Sequence, residues 1–551
     1  MRVARACAAI VGVIFSYLFL FSAPARGQDS FRLERLLGIP ARQKPAPALP
    51  QPEGLADHVV DGKLTLSLDD AIRLALANNT DIKLNHTQID FASDGLQRSR
   101  QAFDPLFSSS FSDQRATSPS STQLQGAAVV NTLTQQTQFN YGQTFETGTN
   151  FQTSFNANKL STNSSFNFIN PSISTFLQFT VTQPLLRNRG LFANRAPILI
   201  AQRNLKQARA SFQGEVSDTI LQAIGQYWNV ILARENLAVQ RKSLDEAQKS
   251  YDHDKKALSL GALPPLDIYR SESQVASRRV GVIQAEYALK QAEDQLRRAV
   301  GADLDERMRA LDMQLTENPE PGADLLSIDI ATALTRALAN RREFEVLRQQ
   351  ISSDEMNVRL AHNNLQPNLQ LSGFYAGNGL GGNEFNTAVP PQLIAAGGLG
   401  TSLSQLFHFN SPTYGATLSL TLPIKNHSAE ASLGDALVIR KRDQYQQRQT
   451  TQNITLETNN AVHMLEVSKL SIEAAKVALD LAQKNLQAEQ RKYDLGADTI
   501  FFVLEAQTEL AQAEQSLVQA QINYQLAVAA VDHATGDLLD HHHVQIADHS
   551  N

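Results

Sequence analysis

Ala75-Leu76-Ala77-Asn78 returns later in the chain as Ala337-Leu338-Ala339-Asn340, and the landmarks behind it return as well. The first series continues with Pro105, Pro184, Gly261 and Gly301; the second continues with Pro367, Pro423, Gly496 and Gly536. Only the connections between landmarks change length. A duplication on this scale predicts two similar units packed side by side, each reading strand, strand, long helix, long helix.

The long helices carry a seven-residue period. Behind the last tip, Val503, Leu510, Leu517, Tyr524 and Val531 recur in step, with Ala506, Ala513, Ala520 and Ala527 between them. The matching helix of the first unit has Ile268, Val275, Val282, Leu289 and Leu296, with Arg278 breaking the interleaved small positions and expected to face water or another subunit. Their partner seams are Val230, Leu237, Leu244, Tyr251 and Leu258, and Leu465, Ile472, Leu479, Leu486 and Tyr493. Such heptads impose a left-handed pairing, and alanine at one core position lets the helices come close. Each pair is therefore a hairpin with its tip at Leu260-Gly261-Ala262 or Leu495-Gly496-Ala497. An arm from Ile198 to Ser259 runs on the order of 90 Å, several times the apolar thickness of a bilayer.

The strands carry a period of two. Leu177, Phe179 and Val181 alternate with Gln178, Thr180 and Thr182; Leu418, Leu420 and Leu422 alternate with Thr417, Ser419 and Thr421. Weaker alternation follows the other prolines, at Phe107, Ser109 and Phe111 and at Leu369 and Leu371. Strands like these live in lipid only when closed into a barrel, apolar face outward. A soluble sheet with one wet face carries the same alternation. Phe139, Tyr141 and Phe145, a turn at Thr147-Gly148-Thr149, then Phe151 and Phe155 predict an extra hairpin, either in a barrel wall or above it. Gly377-Asn378-Gly379-Leu380-Gly381-Gly382 has the spacing of a dinucleotide-binding turn, but no helix pattern follows, and it reads as an outer loop. Ahead of each sheet segment a single helix is expected, from Ser67 to about Arg100 and from Ser327 to about Asn364.

Composition bounds the rest. The chain has 551 residues, 42% apolar and 19% charged. Arg2 and Arg5, an apolar run from Ala6 to Phe21, then Ala23, Ala25 and Gly27 read as an export signal, and Cys7, the sole cysteine, falls inside it. The formal charge of −6 becomes more acidic once that segment is removed, so nucleic acid is not an expected partner. After the signal, no stretch is long and apolar enough for a spanning helix, which leaves strands as the route through a bilayer. The expected organisation is a signal peptide (1–27), a Pro-rich leader (28–62), a first structural repeat (63–301), a linker (302–325), a second repeat (326–536) and a His-containing polar tail (537–551).

The fold class read from these signals is an α+β membrane protein, internally duplicated, in which a long antiparallel α-helical coiled-coil barrel joins a β-barrel shared between subunits. Sharing follows from arithmetic. One chain offers four strong strands, six with the extra hairpin, while the smallest membrane barrels use about eight.

Across residues 63–536 the chain resembles the TolC-like outer-membrane efflux proteins, through the duplication, the strand-flanking prolines, and the tips Leu260-Gly261-Ala262-Leu263-Pro264 and Leu495-Gly496-Ala497-Asp498-Thr499. The resemblance implies a homotrimer with one twelve-stranded barrel in the outer-membrane lipid and a helical tunnel in the periplasm. It also implies a periplasmic adaptor (membrane fusion) protein docked on the tips, at Leu260, Gly261, Ala262, Leu495, Gly496, Ala497 and Thr499, and an inner-membrane transporter of the RND or ABC type behind it. Leucine stands at both tips where the family has valine, and Pro264 stands where the second repeat keeps Thr499. For the periplasmic entrance the resemblance points to Asp267, Tyr493, Asp498, Phe502 and Glu505. Only Glu505 keeps an acid of the family's two acidic rings, Phe502 taking the other place as a collar or as packing between helices, and Asp498 has the sign opposite to the expected basic partner.

Other chemistry is scarce. Asp540-His541-His542-His543, with His533 and His549, reads as a frayed polar end rather than a metal site, and Trp228 beside Tyr227 as packing. No spaced nucleophile, phosphate cradle or carboxylate pair stands out, so no enzyme, cofactor or metal is expected. Two function classes follow: a passive exit duct of a tripartite efflux or type I secretion system, gated at its helical end, or a structural coiled-coil protein of the envelope that conducts nothing.

Overall fold

A computed structural model describes residues 49–544 apart from 166, 261–265, 267, 323–324, 387 and 389–391. The expected signal peptide, most of the leader, and Gly261, Ala262, Asp267 and His549 lie outside the described residues. The chain divides into units 1–51 and 52–551, and the elements below belong to the second. In chain order they are β1 (Val59–Val60), β2 (Lys63–Leu66), α1 (Leu68–Asn78), α2 (Thr80–Arg98), β3 (Leu106–Pro119), β4 (Val129–Thr144), β5 (Asn150–Thr162), β6 (Ile169–Pro184), α3 (Gly190–Ser259) and α4 (Ile268–Ala299). They continue as β7 (Asp312–Leu315), α5 (Ile330–Asn340), α6 (Arg342–Asn364), β8 (Asn368–Phe385), β9 (Leu393–Ala395), α7 (Leu399–Phe407), β10 (Pro412–Thr421), α8 (His427–Asp494) and α9 (Ile500–Thr535).

The opening landmarks explain themselves in space. Gly301 and Gly536 each follow a long-helix pair with positive φ, 74° and 79°, a conformation that costs glycine nothing. A Cβ on Gly301 would stand 2.6 Å from the Cβ of Asn78, and one on Gly536 would stand 3.0 Å from that of Asn340. The same glycine-on-asparagine contact thus occurs in both halves.

Each expected single helix is in fact two. Asn79 takes an extended ψ of 125° and caps α2 by accepting from the Asp81 and Ile82 amides. Arg341, with ψ 127°, separates α5 from α6 by the same extended backbone but without a side-chain cap. Ser67 caps α1 as expected, in a reciprocal box with Asp70.

The main core gathers around the small β1-β2-β7 sheet, in which β2 and β7 run parallel. Leu64, Leu66, Ile72, Ile220, Tyr227, Ile231, Leu296 and Val300 are buried there. Tyr227 donates its hydroxyl to the Leu66 carbonyl, 3.2 Å away, and stacks edge-on against the buried Trp228, so this pair is packing. Ordered structure reaches into the expected leader, where Leu55 is buried, and into the expected linker, which supplies β7. The described part of the tail, residues 537–544, is tied down: Leu538 is buried, and His541 bonds Asp532 at 2.8 Å.

The larger sheet runs β10-β8-β6-β5-β4-β3, with β9 on the end of β8, and neighbours along the path are antiparallel. The extra hairpin is β4–β5. It lies inside the sheet, hydrogen-bonded on both sides.

Below the sheet the long helices α3 and α8 run for 70 and 68 residues, about 100 Å each. The heptad seams hold, with Val503, Leu510, Tyr524 and Val531 buried on α9 and Leu465 and Ile472 buried on α8. Arg278 departs from expectation. It reaches α9 of its own chain, donating to Thr508 Oγ1 at 2.6 Å, and burial depresses its pKa.

Candidate functional site

The register of the large sheet sorts its residues into two faces. One row reads Tyr414, Tyr375, Phe179, Thr153, Tyr141 and Phe107 across six strands, and the next reads Pro412, Gly377, Leu177, Phe155, Phe139 and Ser109. Phe107, Phe139 and Phe155 stack in series with ring centroids about 6 Å apart. The opposite face reads Thr413, Ala376, Gln178, Ser154, Asn140 and Ser108 in one row. On the apolar face charge first arrives at Lys159, Asp113 and Arg115, toward the end of the sheet away from the long helices.

The Gly-rich run expected as an outer loop is part of β8, because glycines at alternate positions hide a strand's periodicity while clearing one face of it. A Cβ on Gly379 would fall 2.0 Å from the Ser402 carbonyl oxygen, and one on Gly381 would fall 2.2 Å from that of Gly398. Helix α7 lies directly on this strip, with Leu406 buried and Ser402 within 2.8 Å of the Thr175 hydroxyl.

At the far end of the helices the two hairpins are joined by polar contacts between α3 or α4 and α8 or α9. Gln507 donates to Ser250 at 3.0 Å, and Lys242 pairs with Glu514, a hydrogen bond that raises the lysine's pKa. Tyr493 donates its hydroxyl to Asp254 Oδ1 at 2.9 Å, and the Asp254 side chain is fully buried. Tyr493 is one of the expected entrance residues; Asp254 was not anticipated. Its place three residues after the seam residue Tyr251 and seven after the buried Ala247 is the signal that singles it out from the polar run Asp252-His253-Asp254-Lys255-Lys256.

The other expected residues divide. Phe502 and Glu505 project from α9 away from its buried Val503, Ala506 and Leu510, Phe502 being 44% exposed and in edge-to-face contact with Phe501. Asp498 accepts from the Thr499 amide at 2.8 Å, ahead of the first turn of α9. Leu260 and Leu495 are 83% and 84% exposed at the two tips. Gly496 turns with φ 69°.

A second polar cluster ties the helices nearer the core. Arg341 binds both oxygens of Glu457, at 3.0 and 3.1 Å, and His533 Nε2 lies 2.6 Å from Asp218 with its Nδ1 3.4 Å from Glu457. Burial opposes charge on His533, yet its hydrogen bonds to Asp218 and Glu457 outweigh burial and lift its pKa to about 9. The His533 bond, working against burial and joined by Arg341, lowers Glu457 to about 2. The cluster is ionic at neutral pH. Among the described residues no group of three or more His, Cys, Asp or Glu has the arrangement of a metal site, and no helix is long and apolar enough to cross a membrane.

The family model of the outer membrane efflux proteins matches residues 71–302 and 333–537. The chain belongs to the outer membrane efflux protein family. Members of this family are outer-membrane channel-tunnel proteins, not enzymes, and this chain is accordingly an outer-membrane protein. It is similar to outer membrane protein TolC of Escherichia coli K12, 24% identical over 337 residues, which is 60% of this chain and 63% of that protein. It is also similar to the pyoverdine export outer membrane protein OpmQ of Pseudomonas aeruginosa, 23% identical over 54% of this chain and 56% of that one. The chain thus spans less than two thirds of the length of either relative. Among solved structures, the Campylobacter jejuni CmeC outer membrane channel superposes with a TM-score of 0.62 at 15% identity, covering 94% of each chain. The outer membrane protein VceC of Vibrio cholerae gives 0.60 at 15%, covering 85% of this chain and 96% of that one. The TolC-like fold of an efflux protein is therefore the fold of this chain.

Proposed function

We propose that the chain is one internally duplicated subunit of a homotrimeric duct: a passive outer-membrane channel whose helical tunnel spans the periplasm and opens at the tips. One observation carries this reading. Both layers stop at unpartnered edges, and in each layer one edge comes from the first half and the other from the second.

In the sheet the free edges are β3 and β10, whose hydrogen-bonding groups are half unused. Such edges invite pairing, and pairing β3 of one copy with β10 of the next closes the sheet. In the helical layer the free edges are α4 and α8. Val280, Ile283 and Tyr287 are exposed on α4, and Val467, Leu470, Val477 and Leu481 on α8, at the three-and-four spacing of a coiled-coil seam. One head-to-tail contact, repeated around a ring, covers all four edges.

The polar sheet face then lines the lumen and the apolar face meets lipid. The tips, with Leu260 and Leu495 fully presented, receive a periplasmic adaptor, and an inner-membrane transporter supplies both cargo and energy. The Tyr493–Asp254 bond holds the two hairpins together at the entrance, where Phe502 and Glu505 narrow it. The relative OpmQ is by name a pyoverdine export protein; the cargo here is set by whichever pump the adaptor brings.

The test is planar-bilayer recording of the purified full-length mature protein, with its mass in detergent measured on the same sample. A trimer with discrete single-channel steps is expected. A monomer, or an oligomer that never conducts even with Tyr493→Phe loosening the entrance, overturns the duct and leaves a structural rod.

A further inference from the structure

We infer that each chain contributes six strands to the barrel wall, so the outer half of the duct is eighteen-stranded in a trimer and wider than the twelve-stranded barrel the resemblance implied. The inference rests on the shared-barrel reading above, but the count per chain does not depend on the number of copies.

Position in the sheet carries it. The β4–β5 hairpin is inserted between β3 and β6, not appended to an edge, and it is paired over 14 positions with β3 and over 11 with β6. Lifting it out of the wall would break both ladders. Its faces match those of its neighbours: Phe139, Tyr141, Phe151 and Phe155 continue the apolar face, while Gln138, Asn140, Gln152 and Ser154 continue the polar one. A decoration standing above the membrane has no need of a lipid-matched face. At constant tilt a barrel's diameter grows roughly in proportion to strand number, so eighteen strands give about one and a half times the diameter of twelve.

The polar face is also nearly uncharged. From β3 to β10 its rows are Ser, Thr, Asn and Gln with a few apolar residues, and Glu384, at the outer end of β8, is the one ionisable side chain on it. The outer half therefore admits bulky solutes without sorting them by charge.

The chain itself suggests the control. Deleting residues 121–167 joins β3 to β6 through Ser120 and Phe168 as a two-residue turn, which sets Phe107 opposite Val181 and Phe111 opposite Leu177 and so keeps apolar with apolar. Single-particle imaging of the intact protein in lipid nanodiscs should count six wall strands per chain. Four per chain, with residues 129–162 outside the wall, overturns the inference even when the trimer and its conductance stand; a different copy number with six per chain corrects only the trimer. In planar bilayers, neutral polyethylene glycols added from the outer side should enter the intact channel up to a size about one and a half times that admitted by the deletion variant. Equal cut-offs for two conducting channels also overturn it.

Discussion

The inner helices α3 and α9 and the outer helices α4 and α8 share one heptad grammar and meet opposite fates. On α3, Val216, Ile220, Ile224, Trp228 and Ile231 are buried within the chain, and on α9 so are Val503, Leu510 and Tyr524. On α4 and α8 a second apolar stripe, on the side away from the hairpin seam, stays in the open. A helix in a closed bundle needs one apolar stripe; these outer helices carry two. The difference teaches that the helical layer has a finished middle and unfinished flanks.

The largest effect should come from breaking the flank. Leu470→Asp with Val477→Asp puts two carboxylates into the expected intersubunit seam, where unpaired burial costs several kcal/mol. Sedimentation should report monomer in place of oligomer, while the solvent-facing control Lys476→Ala leaves the mass unchanged. An unchanged mass in the double variant would show the stripe is not a subunit contact.

Next comes the ionic tie within the helical layer. His533→Ala leaves Glu457 and Asp218 without the cation between them, at a cost of about 2 to 4 kcal/mol, read as a lower midpoint in denaturant unfolding of the helical signal. The pH dependence follows from the shifts. His533 is raised from 6.5 to about 9, so its contribution is complete below 6.5 and disappears as pH climbs through 9. Glu457 is lowered from 4.5 to about 2, so its share is complete above 4.5 and fades as pH falls toward 2. The midpoint should therefore decline from pH 6.5 to 9 in the parent and stay flatter over that range in His533→Ala.

A smaller effect, about 1 to 3 kcal/mol, is expected at the tips from Tyr493→Phe, which leaves the buried Asp254 without its hydroxyl donor. Its signature is functional: more frequent open-channel steps at unchanged oligomer mass. The smallest is Arg278→Gln, which weakens one contact to Thr508 by about 1 kcal/mol or less and should shift the unfolding midpoint little.

What the sequence made legible follows side-chain periodicity. Alternation around Phe179 and Leu420 announced strands, and the seven-residue step from Val503 to Val531 announced a seam, because in both the buried face is spelled by apolar side chains. Legibility failed where that spelling is missing. Gly377, Gly379 and Gly381 alternate faithfully, but a glycine writes nothing on either face, so a strand read as a loop. Asn79 and Arg341 break helices whose apolar pattern continues on both sides of the break. Among the expected site residues, Tyr493 came from the family resemblance, whereas its partner Asp254 is met only when two hairpins far apart in sequence come together. Arg278 looked like a fault in a seam, and the neighbouring α9 that receives it is invisible from its own helix.

The bare margins of β3 and β10 also bear on biogenesis. A newly exported copy would travel with two sticky borders and a greasy sheet surface, the state most prone to fibrous aggregation. In the duct proposed above, closure of the ring would be a safeguard as well as a way of making a pore, and until neighbours arrived the polypeptide would need an escort that masks those borders.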